Sequence, residues 1–366
     1  SILTLARARF PTRMLTWHYR SKYEELIGFS NYGFYQGRLK TFPPSFQAAL
    51  PPIEFKRVTG TWEERCNPEE AAQVLDTLAA LMASEQGRDK SIGVITFNIT
   101  QQAELLDQID KRRAENPEFD ALMLRATGAV EYGGKSKGRD EPFFVKNIEN
   151  VQGDERDIIL FSVDYGPDPA GRIRANFGAL NRSSGENRLN VAVTRARERV
   201  IVVSSVDPEQ LEVSGASNRG PRLLRQYLEY ARAITGRNDA SREAVLREIN
   251  PALDVSANAP ITFESGFEEL VFAALEKKGL RLRTQVGVSG YRIDLAVVDP
   301  NDPMRYVLGI ECDGATYHSA KSVRERDAYR QRFLEMRGWK VHRIWSRNWW
   351  RDPEREVVKV LEALKG

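Results

Sequence analysis

The first two thirds of the chain alternate short apolar runs with longer amphipathic stretches. Runs rich in Val and Ile occupy residues 91–97, 157–163 and 199–205, and their length and composition are typical of buried strands. Residues 69–84 and 101–113 place apolar side chains three and four positions apart, which predicts helices. Because strands that alternate with helices tend to pair in parallel, this region predicts an α/β domain with a mostly parallel sheet.

The remaining third follows a second, shorter α/β pattern. The amphipathic stretch 221–234 predicts the helix that closes the first domain. Beyond it we predict a helix near 265–279, two or three strands, a helix near 320–337, a strand at 340–345 and a final helix at 353–365.

Composition marks the boundary between the two units. Residues 235–241 and 250–260 are rich in the small, polar and Pro residues of linkers. We therefore predict a first domain over 1–236, a linker over 237–262 and a second domain over 263–366. A chain of 366 residues is long enough for two or three domains.

Charge and cysteine content narrow the class of protein. The net charge is only +3, so affinity for nucleic acid must come from local patches, such as the Arg-rich stretches 182–199, 219–247 and 324–347. Cys66 and Cys312 are too few for a disulfide framework or a four-cysteine zinc site. No apolar run approaches the roughly 18–20 residues that span a membrane. We therefore expect a cytoplasmic protein without a membrane partner.

Three carboxylates and a histidine lie on or just after two strand-like segments near the C-terminus. Asp294 belongs to one segment, and Glu311 and Asp313 belong to the next, which leads to His318. Alternate side chains of a strand share a face, so Glu311 and Asp313 point the same way. If the strands pair, Asp294 joins an oxygen-rich cluster suited to Mg²⁺ or Mn²⁺. Because three like charges repel without a cation, the pattern favours metal-dependent phosphodiester hydrolysis.

The order of these residues over 263–350 resembles the restriction-endonuclease-like PD-(D/E)xK fold, and more narrowly its very-short-patch-repair branch. The pattern starts with a Glu-x-x-Val motif at Glu268, continues with Asp294 and ends with Glu311-x-Asp313. The resemblance implies that Asp294 and Glu311 coordinate one or two divalent ions, with Asp313 as an added ligand.

The family pattern ends in lysine, whereas this chain has Asp313 at that position. We expect the role of that lysine, holding the attacking water, to pass to His318 as general base, with Lys321 supplying positive charge near the phosphate. The residues leave two roles open for Glu268. It is either an outer carboxylate of the metal site or, with Ser265 as N-cap, part of a capping box.

The helix predicted after the acidic segment is basic. Arg324, Arg326 and Arg330 are expected to hold substrate phosphates. Taken singly, each acidic residue also fits a strand end or a turn, and His318 fits a structural role. Their combination in this order favours a nuclease.

Three short motifs in the first domain fit a nucleoside-triphosphate site. They read Leu-Thr-Trp-His-Tyr-Arg-Ser at 15–21, Val-Gln-Gly-Asp-Glu-Arg-Asp at 151–157 and Leu-Asn-Val-Ala-Val-Thr-Arg-Ala-Arg at 189–197. In this order they resemble motifs IV, V and VI of superfamily 1 helicases, over nearly all of residues 10–210. The resemblance implies a RecA-like domain that binds ATP.

The helicase resemblance also implies roles for single residues. Arg20 and Arg195 are expected to reach the γ-phosphate as arginine fingers, because a guanidinium forms bidentate, charge-assisted bonds and stays protonated. Tyr19 is expected to stack on adenine. Taken alone, the arginines of 195–199 also fit a solvated helix face, but the three motifs together favour a nucleotide site.

Further contacts are implied where strands meet loops. Gln152, Gly153 and Glu155 are expected near the sugar or phosphates of the nucleotide. Thr96 and Gln101 are expected to face the single-stranded DNA track.

The sequence contains no Gly-x-x-x-x-Gly-Lys-Ser/Thr phosphate-binding loop. Superfamily 1 motors carry that loop in a first RecA-like domain, so this chain resembles the second RecA-like domain alone, joined to a nuclease. It also begins without Met. We therefore expect the C-terminal part of a longer DNA helicase–nuclease, which binds ATP only together with the missing first RecA-like domain and does not hydrolyse ATP by itself.

The resemblance implies a role in restriction, phage defence or DNA repair, with two alternatives. Because Asp313 replaces the family lysine, the second domain is alternatively an inactive nuclease fold that only grips DNA. Because the helicase superfamily includes RNA enzymes, the motor is alternatively directed to RNA.

Overall fold

The first unit of the chain is built around a five-stranded sheet in the order β1-β5-β4-β2-β3, and every neighbouring pair is parallel. This confirms the predicted parallel α/β domain. Its helices and strands, in chain order, are α1 (Ile2–Arg9), α2 (Glu25–Phe34), β1 (Ile53–Arg57), α3 (Pro68–Ala83), β2 (Ile92–Thr96), α4 (Ile99–Glu115), α5 (Pro117–Thr127), β3 (Phe144–Asn147), β4 (Arg156–Ser162), α6 (Gly185–Val193), β5 (Ala196–Ser204), α7 (Gly220–Thr235) and α8 (Asp239–Ile249). The computed structural model describes residues 2–11, 14, 16–128, 141–173, 177–216, 218–251, 263, 265–287, 291–313 and 330–365.

Local sequence explains where the central helices begin. The side chains of Asn67 and Asn98 cap α3 and α4 by accepting the backbone N–H of Glu70 and Gln101, which would otherwise lack a partner within the helix. Pro68 occupies the start of α3, where a missing N–H costs nothing. All five residues of β2 are buried, as expected for a strand covered by helices on both faces.

Helices cover both faces of this sheet. On one face α2, α7 and α8 pack around strand residues that include Phe161 and Val202. On the other face α3, α4 and α5 pack around Leu160 and Ile201. Neighbouring residues of one strand therefore enter different cores, which is the alternation that strand geometry dictates.

Helix α8 lies inside the segment 237–262 for which composition predicted a linker. Asn238 caps the helix, and Val245 and Leu246 are buried against the core of the first unit. The ordered first unit thus extends beyond the predicted boundary, because a few apolar side chains in a polar segment were enough to dock it. Residues 252–262 lie outside the described part of the chain.

The second unit contains a four-stranded sheet in the order β6-β7-β8-β9. Strands β8 and β9 run parallel, and the other neighbours run antiparallel. Helices α9, α11 and α12 cover one face around Leu295, Ile310 and Ile344. Its elements are α9 (Gly266–Glu276), β6 (Leu282–Val286), β7 (Ile293–Val298), β8 (Tyr306–Asp313), α10 (330–336), β9 (Val341–Trp345), α11 (Ser346–Arg351) and α12 (Pro353–Lys365).

The other face of this sheet is covered by α10 and by a segment of the first unit, residues 40–47, which we call the arm. Phe42 of the arm stacks on Phe333, with ring centroids 5.6 Å apart. The indole N–H of Trp339 donates to the carbonyl of Pro43 (2.8 Å). The two units therefore share an apolar interface between segments that lie far apart in the chain.

The structure also describes the two cysteines and the apolar character of the helices. Cys66 and Cys312 are both free thiols. Among the helices of the described ranges, none combines the length and the apolar composition needed to cross a bilayer.

Candidate nucleotide and acidic sites

Residues 18–22 form a tight loop just before α2. The backbone N–H of Ser21 donates to His18 Nε2 (3.1 Å), and the Ser21 hydroxyl lies 2.8 Å from the same nitrogen. Burial and two nearby arginines lower the pKa of His18 to about 4, so the ring is neutral at pH 7 and Nε2 accepts. The N–H of Lys22 donates to the carbonyl of Arg197 (2.7 Å), which fixes the loop at the start of β5.

The loop brings Arg20 to the starting ends of β4 and β5. Arg20 forms an ion pair with Glu155 (2.6 Å). Arg195 is partly buried; its Nε donates to the carbonyl of Val191 (2.7 Å), and its own carbonyl accepts the N–H of Arg156 (3.1 Å). Burial, and then Arg20, lower the pKa of Arg195, although a guanidinium remains charged at neutral pH. The structure thus brings together three residues predicted from three separate motifs.

The turn before β4 borders this cluster. Gly153 has a φ of +92°, a conformation that favours glycine, and the space in front of its Cα is open. Gln152 is exposed, and Tyr19 is 75% exposed. All three residues are accessible from solvent, as contacts to a nucleotide must be.

In the second unit, Asp294 and Glu311 are held by neighbouring groups. Asp294 Oδ2 accepts the backbone N–H of Cys312 (2.7 Å). Glu311 is only 1% exposed, forms an ion pair with Arg330 and accepts the hydroxyl proton of Tyr291. Arg330 also lies over the Tyr291 ring, 3.7 Å from its centroid. Arg330 is therefore an internal counter-ion of Glu311 in this conformation, an arrangement different from the phosphate contact predicted for it.

The two other carboxylates also have partners. Asp313 forms an ion pair with Arg343 (2.8 Å). Glu268 follows the N-cap Ser265, whose side chain accepts the Glu268 N–H (3.3 Å) and donates to Oε1 (3.0 Å), while Gln285 donates to Oε2 (3.0 Å). Ser265 therefore acts as the N-cap of α9, and the Glu268 carboxylate contacts its hydroxyl; both roles of Glu268 stay predictions.

Burial raises the pKa of the Cys312 thiol, and the four carboxylates raise it further. In decreasing order of effect they are Asp294, Glu268, Glu311 and Asp313. Carboxylate oxygens are the donors that Mg²⁺ and Mn²⁺ prefer, so the donor set fits a divalent ion chemically. Within the described ranges, however, no three His, Cys, Asp or Glu side chains are arranged to hold one. Four predicted residues lie outside the described part of the chain: His318, Lys321, Arg324 and Arg326.

Comparison with known families accounts for both units. Residues 3–207, more than half of the chain, match the AAA domain family AAA_12. The chain belongs to this AAA-domain family. Residues 267–364 match a second family, REase_MTES_1575, which is restriction-endonuclease-like. The predicted combination of a helicase-type domain with a restriction-endonuclease-like domain is confirmed.

Two mycoplasma proteins are similar to almost the whole chain. The Uncharacterized ATP-dependent helicase MG140 homolog of Mycoplasma pneumoniae is 32% identical over 366 residues, and the Uncharacterized ATP-dependent helicase MG140 of Mycoplasma genitalium is 32% identical over 362 residues. Each match covers 98% of this chain and 30% of the relative, so the chain spans about a third of the length of these proteins.

A solved structure also matches part of the chain. It is the C-terminal domain of a possible DNA helicase from Lactobacillus plantarum, with 14% sequence identity. The match covers 56% of this chain and 96% of that structure, at a TM-score of 0.25 that is too low to support a structural argument.

The AAA domain places Thr96 and Gln101 in its interior. Both are fully buried. Gln101 donates to Ser162 Oγ (3.0 Å) and accepts the N–H of Asn67 (2.7 Å), while Thr96 donates to the carbonyl of Asn98 (2.7 Å). Neither side chain reaches the surface in this structure. Neither can therefore make the predicted contact with a DNA track from these buried positions.

A buried carboxylate that sequence reasoning missed lies at the centre of this polar network. Glu70 accepts the N–H and hydroxyl of Ser205 (both 2.8 Å), the N–H of Asp164 (2.7 Å) and the hydroxyl of Ser162 (2.9 Å). Burial raises the pKa of Glu70 and, more strongly, that of Asp164. The network joins α3 to the ends of β4 and β5.

Two further residues near Arg195 were also missed. Tyr35 and Asp154 both raise the pKa of Arg195, opposing the effect of Arg20. Asn190 donates to the Tyr35 hydroxyl (3.4 Å). Asp154 stands inside the second motif and was therefore identifiable, whereas Tyr35 comes from α2, where no local pattern marked it.

Proposed function

We propose that this chain forms the second RecA-like half of an ATP-dependent DNA motor and carries a divalent-metal-dependent endonuclease domain. The AAA-domain match, the ATP-dependent helicase names of two relatives and the cluster of Arg20, Glu155 and Arg195 support the motor. Because the chain spans only 30% of those relatives, we propose that a first RecA-like domain completes the nucleotide site.

The placement of Arg20 and Arg195 around Glu155 carries this proposal: Arg20 pairs with Glu155, and the carbonyl of Arg195 accepts the N–H of Arg156, the next residue. Two guanidinium groups beside one carboxylate leave net positive charge, which a bound anion balances. Triphosphate oxygens suit them, because a guanidinium forms paired, charge-assisted hydrogen bonds. Exposed Tyr19 is placed to stack on the base, and Gln152, Gly153 and Glu155 border the open space beside the cluster.

ATP hydrolysis tests the motor. In the complete protein, with the proposed first domain present, Arg195→Ala should lower kcat by about 10³-fold, the scale of an arginine finger. Arg188→Ala is the matched control, because Arg188 lies on the preceding helix, α6, and pairs with Glu149 instead (3.4 Å). The 366-residue chain alone should not hydrolyse ATP. Full ATPase activity in Arg195→Ala would contradict the proposal.

In the restriction-endonuclease-like domain we assign Asp294, Glu311 and Asp313 to a Mg²⁺ or Mn²⁺ ion. When bound, the ion supplies a Lewis acid for the phosphate and lowers the pKa of a bound water. Asp294 supports this assignment by its position: it accepts the N–H of Cys312 (2.7 Å), the residue between Glu311 and Asp313 on the neighbouring strand. Four residues keep the roles predicted for the base and for phosphate contacts: His318, Lys321, Arg324 and Arg326.

DNA binding without cleavage is the second candidate for this domain, and one observation favours it. Arg330 neutralises Glu311, and Arg343 neutralises Asp313. Two of the three proposed metal ligands are therefore already balanced by cations of the protein itself, and a metal ion would have to compete with them.

Plasmid nicking separates the two candidates. A nuclease produces Mg²⁺-dependent nicks that disappear in Asp294→Ala and Glu311→Ala and persist in Glu269→Ala, an exposed neighbour of Glu268. A binding module retains the plasmid without nicks in every variant. RNA and DNA oligonucleotides of matched sequence identify the substrate, since the 2′-hydroxyl distinguishes them.

A further inference from the structure

Arg337 of the second unit contacts the loop that carries Tyr19 and Arg20. It follows α10 directly, and its Nη1 donates to the carbonyl of Lys22 (2.9 Å). Its Nη2 donates to the carbonyls of Ser21 (2.7 Å) and Tyr19 (3.3 Å). One guanidinium thus holds three carbonyl groups of a five-residue loop, across the interface between the two units.

The bonds from Arg337 do not involve the side chains of the loop. Arg337 contacts only backbone oxygens of the loop, while the Tyr19 ring is 75% exposed and Arg20 reaches Glu155. The inner side of the loop is closed by the bonds between His18 and Ser21. The loop is therefore held by its own residues, by the bond from Lys22 to Arg197 and by Arg337.

We infer that Arg337 is a positioning residue for the nucleotide site, supplied by the restriction-endonuclease-like domain to the AAA domain. The inference rests on the proposed function, in which Tyr19 and Arg20 bind ATP. Holding the loop in one conformation before ATP arrives removes the ordering cost from the binding step. A planar guanidinium suits this role, because its donors form a rigid fork that reaches several carbonyls at once.

Steady-state ATPase assays of the complete protein test this role. Arg337→Ala should raise KM for ATP about tenfold, the effect of one to two net hydrogen bonds, with a smaller change in kcat. Arg337→Lys should recover part of that loss, because an ammonium group keeps the charge and can donate to some of the same carbonyls. Binding of a fluorescent ATP analogue should follow the same order.

Two control variants separate positioning from general loosening of the interface. Arg332→Ala removes an exposed arginine of α10, the helix just before Arg337, and should behave as wild type. Gln47→Ala removes a different bond between the units, from Gln47 Nε2 to the Tyr306 hydroxyl (2.8 Å), and should leave KM unchanged.

Each outcome decides the inference. A raised KM confined to Arg337→Ala and partly restored by Arg337→Lys supports it. A KM raised equally by Gln47→Ala overturns it, since domain docking would then explain the effect. Wild-type kinetics in Arg337→Ala, with activity lost in Arg20→Ala and Arg195→Ala, overturn the inference and leave the proposed motor intact. If Arg20→Ala and Arg195→Ala are themselves fully active, the proposed function fails, and the inference fails with it.

Discussion

The two candidate sites of this chain balance their charges in opposite ways. In the AAA domain, Arg20 and Arg195 both lie beside Glu155, which pairs with Arg20. In the restriction-endonuclease-like domain, buried Glu311 is matched by Arg330. The first site therefore carries positive charge that an anion would relieve, whereas the second is neutralised from within. A ligand adds to the first site but must displace a protein group at the second.

A second contrast concerns how the two units keep a carboxylate in their interior. Glu70 accepts four hydrogen bonds from neutral donors in the AAA domain. Glu311 is neutralised by a guanidinium and also accepts a tyrosine hydroxyl. Neutral donors hold a buried carboxyl group without a counter-ion, whereas an ion pair supplies one. The two carboxylates should therefore respond differently to loss of a partner.

The largest expected effect concerns Arg330. Arg330→Ala should destabilise the protein by about 3–5 kcal/mol, the cost of leaving a buried charge without its counter-ion. Urea denaturation measures the change. Mg²⁺ should restore part of the stability, because a bound cation stabilises the folded state by taking the place of the arginine.

The matched control for this variant is Arg332→Ala, on the exposed side of the same helix, which should unfold at the wild-type urea concentration. The phosphate contact predicted from sequence gives a different outcome. Arg330→Ala would then weaken DNA binding and reduce its salt dependence while the unfolding midpoint stayed unchanged.

A smaller loss is expected from Glu70→Ala. The change leaves the backbone N–H groups of Asp164 and Ser205 without their acceptor, and each buried unpaired donor costs about 1–3 kcal/mol. We expect a total near 3 kcal/mol, measured by thermal and urea unfolding. Glu69→Ala, at the adjacent exposed position, should change stability by less than about 1 kcal/mol. Equal losses in both variants would remove Glu70 from the centre of the network.

The smallest effect is a pH dependence that arises at His18. Its folded-state pKa is lowered to about 4, below the ordinary histidine value of 6.5, so between these values the unfolded chain binds a proton that the folded chain does not. This contribution to stability is therefore intact above pH 6.5 and is lost as the pH falls toward 4. His18→Gln, which keeps an acceptor for Ser21, should lose about 2 kcal/mol less than wild type between pH 7 and pH 5. Parallel pH profiles of the two proteins would count against a neutral, buried His18.

Much of the first sheet was predictable because its central strands are short, apolar and strongly β-branched. Strands β2, β4 and β5 lie where the apolar runs predicted them. The edge strands β1 and β3 carry charged residues and lack that pattern, so only pairing with a neighbour makes them strands. Helix α8 was hidden for a similar reason, since its polar composition resembles a linker until Val245 and Leu246 find a core.

The candidate sites also contain some residues that the sequence predicted and some whose positions only the fold decided. Motifs predicted that Arg20, Glu155 and Arg195 would share one site, and the structure brings them together. The buried positions of Thr96 and Gln101 were not predictable, because a strand end and a first helical turn look alike whether they face solvent or the interior.

Local sequence by itself determined the central strands of the first sheet, the two α/β units and the residue types of both sites. It did so because periodicity, capping and motif spacing act between residues close together in the chain. The tertiary structure alone decided that the arm covers the second sheet, that Arg330 neutralises Glu311 and that Arg337 holds the 18–22 loop. Those contacts join residues separated by up to about 300 positions, and only the packing of one apolar face on another brings such groups within hydrogen-bonding distance.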